Sequence, residues 1–70
     1  MQKRILDRYG SLREWRLAKD LTQAEAAQKF GATQSAWYKW EAGIQYPRRA
    51  MMRKLAERTG VPISVLAGVA

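Results

Sequence analysis

Four side chains within six residues, Gln34, Ser35, Tyr38 and Lys39, carry the most useful hydrogen-bonding chemistry in this sequence. A glutamine amide offers a donor and an acceptor side by side and can pair bidentately with adenine N6 and N7. A serine hydroxyl donates or accepts with any base, and a lysine ammonium reaches guanine O6 and N7 or a phosphate. Tyr38 can lie along a sugar, touch a thymine methyl or rest as a half-buried surface aromatic. Catalytic chemistry has far less to work with. The chain has no cysteine and no histidine, which excludes disulfides, thiolate metal sites, a conventional zinc site and a histidine-based dyad. Six carboxylates and the lysines remain, and no spacing among them suggests an acid pair or an activated amine. The expectation is a binding domain rather than an enzyme, with no cofactor and no metal.

Charge points the same way. Thirteen Lys and Arg against six Asp and Glu give a formal net charge of +7 over 70 residues. Such a surface favours polyanions, either nucleic acid or an anionic membrane face. No apolar run approaches the roughly 18 residues of a membrane span. The opening Met1-Gln2-Lys3-Arg4 is basic, but Ile5-Leu6 is followed at once by Asp7-Arg8, which is not a signal peptide. No membrane association and a cytoplasmic location are therefore expected.

The hydrogen-bonding group must be positioned by helices, because no stretch alternates in the manner of a strand. Seventy residues make one domain, and a chain of this size buries only about 60% of its unfolded surface. Ser11-Leu12-Arg13-Glu14 and Thr22-Gln23-Ala24-Glu25 are capping-box patterns, in which the hydroxyl and the carboxylate satisfy free N–H groups of a first helical turn. They predict helices over residues 12–19 and 23–30. Gly31 ends the second by accepting a left-handed conformation cheaply. Thr33 caps a third helix over residues 34–42, closed by Gly43. A fourth, about residues 48–58, carries Met52, Leu55, Ala56 and Thr59 at i, i+3, i+4, i+7 spacing. Gly60 stops it, and Pro62 sits near the start of a last short helix over residues 63–67. Residues 1–9 fit a short helix, an extended arm or a tail equally well.

Only Gly31-Ala32-Thr33 joins the second and third helices, so they must cross steeply. Inner positions there have to be small or apolar. Ala26, Ala27, Phe30, Ala32, Trp37 and Trp40 fall at those positions, and Ala27 lies where the backbones come closest. The indole N–H groups of the two tryptophans need partners if buried. Gln34, Ser35, Tyr38 and Lys39 then share the outward face of the third helix, an arrangement suited to reading a major groove.

The run Leu21-Thr22-Gln23-Ala24-Glu25-Ala26-Ala27, followed by Gly31 and then Trp40-Glu41-Ala42-Gly43, resembles the phage Cro and C1-repressor family of helix-turn-helix domains. The resemblance extends over residues 12–68. It implies an all-α, five-helix, lambda-repressor-like fold with the helix-turn-helix at helices two and three and the third helix in the major groove. Double-stranded DNA is the implied partner, and the implied function is transcriptional repression or regulation at a pseudo-palindromic operator. The sequence departs from the family where Ala26 and Ala32 replace a usual Leu and Val, and where Trp37 and Trp40 stand at positions that commonly hold smaller aliphatics, at least at the first. These changes read as an exchange of volume across one wall. Asp20 stands where a glycine is frequent, at a small cost to that cap.

The resemblance also assigns roles. It sets Gln34 and Ser35 against base edges, with Tyr38 and Lys39 beside them. It gives Gln23 a backbone phosphate and a bracing contact to the third helix, and it pairs Arg16 with Glu41 as a structural tie. The loop before the fourth helix lies along the DNA backbone in this family. Arg48 is the first choice for a contact there and Arg49 the second; cations at a helix N-terminus oppose the helix dipole, which suggests another use for them. Thr33 and Lys29 are further backbone candidates. Arg53, Lys54 and Arg58 read as a solvated face turned from the core. One such domain contacts too few bases to find a single site, so a weak homodimer strengthened by DNA is expected, with Val65, Leu66 and Val69 as its contact. The competing class is an antitoxin or other protein-interaction module on the same scaffold, with a protein as partner.

Overall fold

The computed structural model describes residues 9–68. Five helices occupy it: α1 Leu12–Ala18, α2 Gln23–Lys29, α3 Gln34–Ala42, α4 Arg49–Thr59 and α5 Ile63–Leu66, with no strand among the described residues. Each boundary falls within one residue of the sequence expectation. Lys19 and Phe30 close α1 and α2 as caps rather than as helical residues, Arg48 precedes α4 instead of opening it, and Ala67 caps α5. The ambiguous first segment lies outside the described residues except for Tyr9, which packs on the core. Val69 lies outside them as well.

The first three helices start on hydroxyl caps. Ser11 Oγ accepts from Glu14 N at 3.1 Å, while the Glu14 carboxylate reaches one residue further back than a capping box requires and accepts from Gly10 N at 2.9 Å. The Thr22–Glu25 box is complete, with Thr22 Oγ1 accepting from Glu25 N and Glu25 Oε1 from Thr22 N. Thr33 Oγ1 accepts from Ala36 N at 3.0 Å. Each such cap stabilises its helix by about 1 kcal/mol. α1 ends at a sharper cost, because Asp20 holds φ 60, a left-handed conformation that is unfavourable by about 1 kcal/mol for a residue bearing a Cβ. Gly31 takes φ 72 without that cost, and a Cβ added there would meet nothing within 4 Å. Backbone conformation, not crowding, is what its position demands.

α2 and α3 pack at the short turn through Ala26 and Ala27, both fully buried. Their small size makes room for Trp37, which is itself fully buried and lies within 5.7–6.1 Å, centroid to centroid, of Trp15, Phe30 and Trp40. The expected exchange of volume is therefore physical: methyl groups line one wall and an indole fills the other. Ala32 and Trp40 are half-buried against the same cluster. From α4, Leu55 and Thr59 are buried, and Met52 and Ala56 pack beside them. Thr59 is a buried polar group that is fully satisfied, since its hydroxyl donates to Leu55 O at 2.7 Å and accepts from Val61 N at 3.1 Å.

Two sequence expectations need correction. Arg58 does not simply join a solvated face with Arg53 and Lys54. Its guanidinium lies 5.5 Å from the Phe30 ring centre and its Nη1 donates to Lys29 O, so it ties α4 to the end of α2. Leu66 is buried in the core. α5 is a single turn, and the one side chain it turns inward is Leu66, which leaves Val65 as the exposed member of the expected patch among the described residues.

Candidate nucleic-acid interface

The inner side of α3 is fixed by Trp37 and Glu41, four residues apart, so the opposite side must face outward. Gln34, Ser35 and Tyr38 are exposed and Lys39 is half-buried. The first turn of α3 contains no acidic residue, which leaves the positive end of its dipole uncompensated beside Gln34 and Ser35. Thr33 is exposed, but its oxygen already accepts from Ala36 N.

Besides its apolar packing, α3 is held by the carboxylate of Glu41. Arg16 Nε donates to Oε2 at 2.6 Å and Nη2 to Oε1 at 3.2 Å. Gln23 Nε2 donates to Oε1 at 3.1 Å, and Trp37 Nε1 to Oε2 at 2.5 Å. Arg16 Nη1 also donates to Leu21 O at 3.0 Å, so one guanidinium joins α1, the loop that follows it and α3. The two side chains are only 12% and 5% exposed. Burial by itself would raise the Glu41 carboxyl, but hydrogen bonds from Arg16, Gln23 and Trp37 and the Arg16 charge outweigh it and hold the group below its ordinary value. The hydrogen bond to Glu41 in turn raises Arg16, against the opposing effect of burial and with help from the Glu41 charge. A buried ion pair is stable only when its remaining lone pairs and protons are satisfied, and here four donors converge on the two oxygens.

The expected Arg16–Glu41 pair is thus present, and so is the bracing contact from Gln23. Sequence reasoning missed that Trp37 supplies a donor to the same carboxylate. The signal was available: a buried indole needs an acceptor, and Glu41 stands one turn further along the same helix.

Arg48 and Arg49 are both exposed. Arg48 occupies the cap position of α4 without any side-chain hydrogen bond, and the first turn carries no acid. The free N–H groups of α4 thus differ from those of α1, α2 and α3, which all have hydroxyl caps. The loop between α3 and α4 folds back on Lys39, whose carbonyl accepts from Ile44 N and Gln45 N. It presents two apolar side chains that sequence reasoning did not single out, Ile44 and Tyr46, both about half exposed or more. Lys29 is exposed at the end of α2.

A helix-turn-helix family model matches residues 12–66, which spans all five helices. The chain belongs to the Cro/C1-repressor type of this helix-turn-helix family. Over 55 residues this helix-turn-helix chain is 36% identical to the cryptic phage CTXphi transcriptional repressor RstR of Vibrio cholerae, covering 79% of the chain and 50% of that relative. It therefore spans about half the length of the curated relative it matches. No solved structure matches it. No helix among the described residues is long and apolar enough to cross a membrane.

Proposed function

We propose that this helix-turn-helix domain binds duplex DNA sequence-specifically as a transcriptional repressor or regulator, with α3 in the major groove. The supporting observation is α3 itself, where Ser35, Tyr38 and Lys39 stand on the side turned from the Glu41 network and Gln34 is exposed at the first turn. Base reading needs side chains presented by a rigid element, because a groove contact tolerates little misplacement. In this reading Gln34, Ser35, Tyr38 and Lys39 meet base edges. Gln23, Thr33, Lys29, Arg48 and Arg49 hold phosphates, with the open N-terminus of α4 adding its own attraction for an anion. Phosphate contacts set register and base contacts give specificity.

The operator is a pseudo-palindrome bound by two copies, and the site of action is the cytoplasm, where such DNA lies. The dimer contact is the exposed Val65 together with Val69. No catalytic step and no cofactor enter the reading.

The test is selection of bound sites from random duplex DNA, followed by affinity measurement over a range of salt. A conserved half-site and a steep loss of affinity with salt are expected, because phosphate contacts release counterions. Recovery of no common sequence would sink the reading. Salt-insensitive capture of a protein would favour the interaction-module alternative.

A further inference from the structure

We infer that Tyr38 is a specificity residue that reads the 5-methyl group of thymine. This rests on the DNA-binding reading above and deepens it.

The exposed face of α3 is uneven in chemistry. Successive residues turn by about 100°, so with Trp37 and Glu41 inward the sector turned away from them holds Ser35, Tyr38, Lys39 and Ala42, and Gln34 is exposed beside it at the first turn of α3. Gln34, Ser35 and Lys39 are polar. Tyr38 is the one large apolar surface in that sector, 50% exposed. It packs on no other ring among the described residues, whereas Trp15, Phe30, Trp37 and Trp40 pack on one another. Ala42 follows one turn later and is also exposed, so a short apolar strip runs along one edge of the polar face.

A major groove presents donors and acceptors at every base pair, but only one apolar group, the thymine methyl. An apolar ring held in the middle of a reading helix gains most by covering that methyl. Against a donor or acceptor it would leave a polar atom without its water, at a cost that Gln34 or Lys39 in the same place would not incur. The small side chains of Ser35 and Ala42 on either side let the helix backbone approach closely enough for ring and methyl to touch. The remaining apolar surface of DNA is the deoxyribose, which is the same at every base. A ring lying there would be blind to sequence, and the two placements differ in what a single methyl does.

The experiment uses the full chain and the consensus duplex recovered by selection. Each thymine is replaced in turn by deoxyuridine, which removes the methyl and keeps every hydrogen-bonding group. Wild type, Tyr38→Phe and Tyr38→Ala are compared, with tryptophan fluorescence confirming that each variant is folded. In wild type and in Tyr38→Phe, one thymine per half-site should lose about fourfold in affinity on conversion, the effect of one buried methyl. In Tyr38→Ala the same conversion should have no effect. The inference is overturned if no thymine is methyl-sensitive in wild type, as a sugar contact would give, or if the loss is the same in Tyr38→Ala, as a change in duplex stiffness would give. Failure to select any sequence overturns the DNA reading and this inference together. A clear consensus without a Tyr38-dependent methyl effect overturns the inference alone.

Discussion

Arg16 and Glu41, 25 residues apart in the chain, are joined by two parallel hydrogen bonds of 2.6 and 3.2 Å. The same carboxylate also accepts from Gln23 and Trp37, so α1, α2 and α3 meet at two oxygen atoms. Glu41→Gln puts an N–H where a donor already points, and Arg16→Met leaves the carboxylate without its countercharge. Each should cost about 3–5 kcal/mol, the range for stranding one member of a buried pair. The double variant should cost clearly less than the sum. Urea denaturation of the four proteins measures this, and additive effects would show that the pair is not coupled. Should a single variant be unfolded in buffer, Trp37→Phe removes one donor, keeps an aromatic ring in the core and gives a milder test of the same carboxylate.

Acid should weaken the fold through the same group. Glu41 is held below its ordinary value in the folded protein, so between its folded and unfolded values the unfolded chain binds more protons. Its contribution is complete above the usual carboxylate range and is lost as pH falls through the folded value. Arg16, raised by its partner, stays charged throughout the acid range and adds no slope there. The urea midpoint of wild type should therefore fall on acidification, and this fall should be shallower in Glu41→Gln. An equal acid slope in both proteins would assign the effect to other carboxylates.

The parts of this arrangement written in the sequence are the local ones. Hydroxyl caps at Ser11, Thr22 and Thr33 act on N–H groups three residues away, and a glycine such as Gly31 acts on its own backbone, so both can be read without knowing the packing. The need of Trp37 for a hydrogen-bond partner was equally readable. That Glu41, one turn on, is this partner and also receives Arg16 and Gln23 was not, because it depends on how α1 and α2 pack against α3. Arg58 shows the limit of helical periodicity. Its position points away from the core, yet its length lets the guanidinium return to the Phe30 ring and to one carbonyl at the end of α2, that of Lys29. In α5 a single turn gives no period to read, and only the packing distinguishes buried Leu66 from exposed Val65.

Arg58 gives a small but discriminating prediction. Its guanidinium over Phe30 and its hydrogen bond to Lys29 O should make Arg58→Ala destabilising by about 1 kcal/mol, the magnitude of an exposed cation–π contact. Arg53→Ala, on the same helix and exposed, should stay within about 0.5 kcal/mol of wild type. Thermal melts of the two variants compare them directly; equal effects would return Arg58 to the solvated face.

Base reading and phosphate holding should separate by mutation. Gln34→Ala should cost about 1–3 kcal/mol at one base pair of each half-site and relax the preference there. Gln23→Ala should weaken all duplexes about alike. Because Gln23 also donates to Glu41, its variant will lose some stability, so affinities are to be compared at equal folded fraction. An unchanged consensus from Gln34→Ala would remove base reading from that position.

The proposed pairing of two copies on one operator requires a contact that the fold leaves available. With Leu66 committed to the core, Val65 is the described member of the expected patch, 39% exposed, and with Trp40 and Tyr46 it borders a groove of about 330 Å³. Tyr46 also closes against Gly68: a Cβ there would come within 2.6–2.8 Å of its ring and hydroxyl, so the Gly68 backbone passes directly over that loop. A two-fold contact there is isologous, the same patch meeting itself, and it places the dimer seam beside the loop that carries Arg48. The patch is small, which favours a dimer that is weak in solution and assembles on DNA, with recognition helices about 34 Å apart on one face of the duplex. Val65→Asp should leave stability within about 0.5 kcal/mol, as for other exposed positions, while converting cooperative two-per-duplex binding to independent binding of single copies. Sedimentation with one- and two-half-site duplexes reads the stoichiometry directly. Strict one-per-duplex binding by wild type would overturn the dimer, and cooperative pairing that survives both Val65→Asp and Val69→Asp would overturn this patch as its contact.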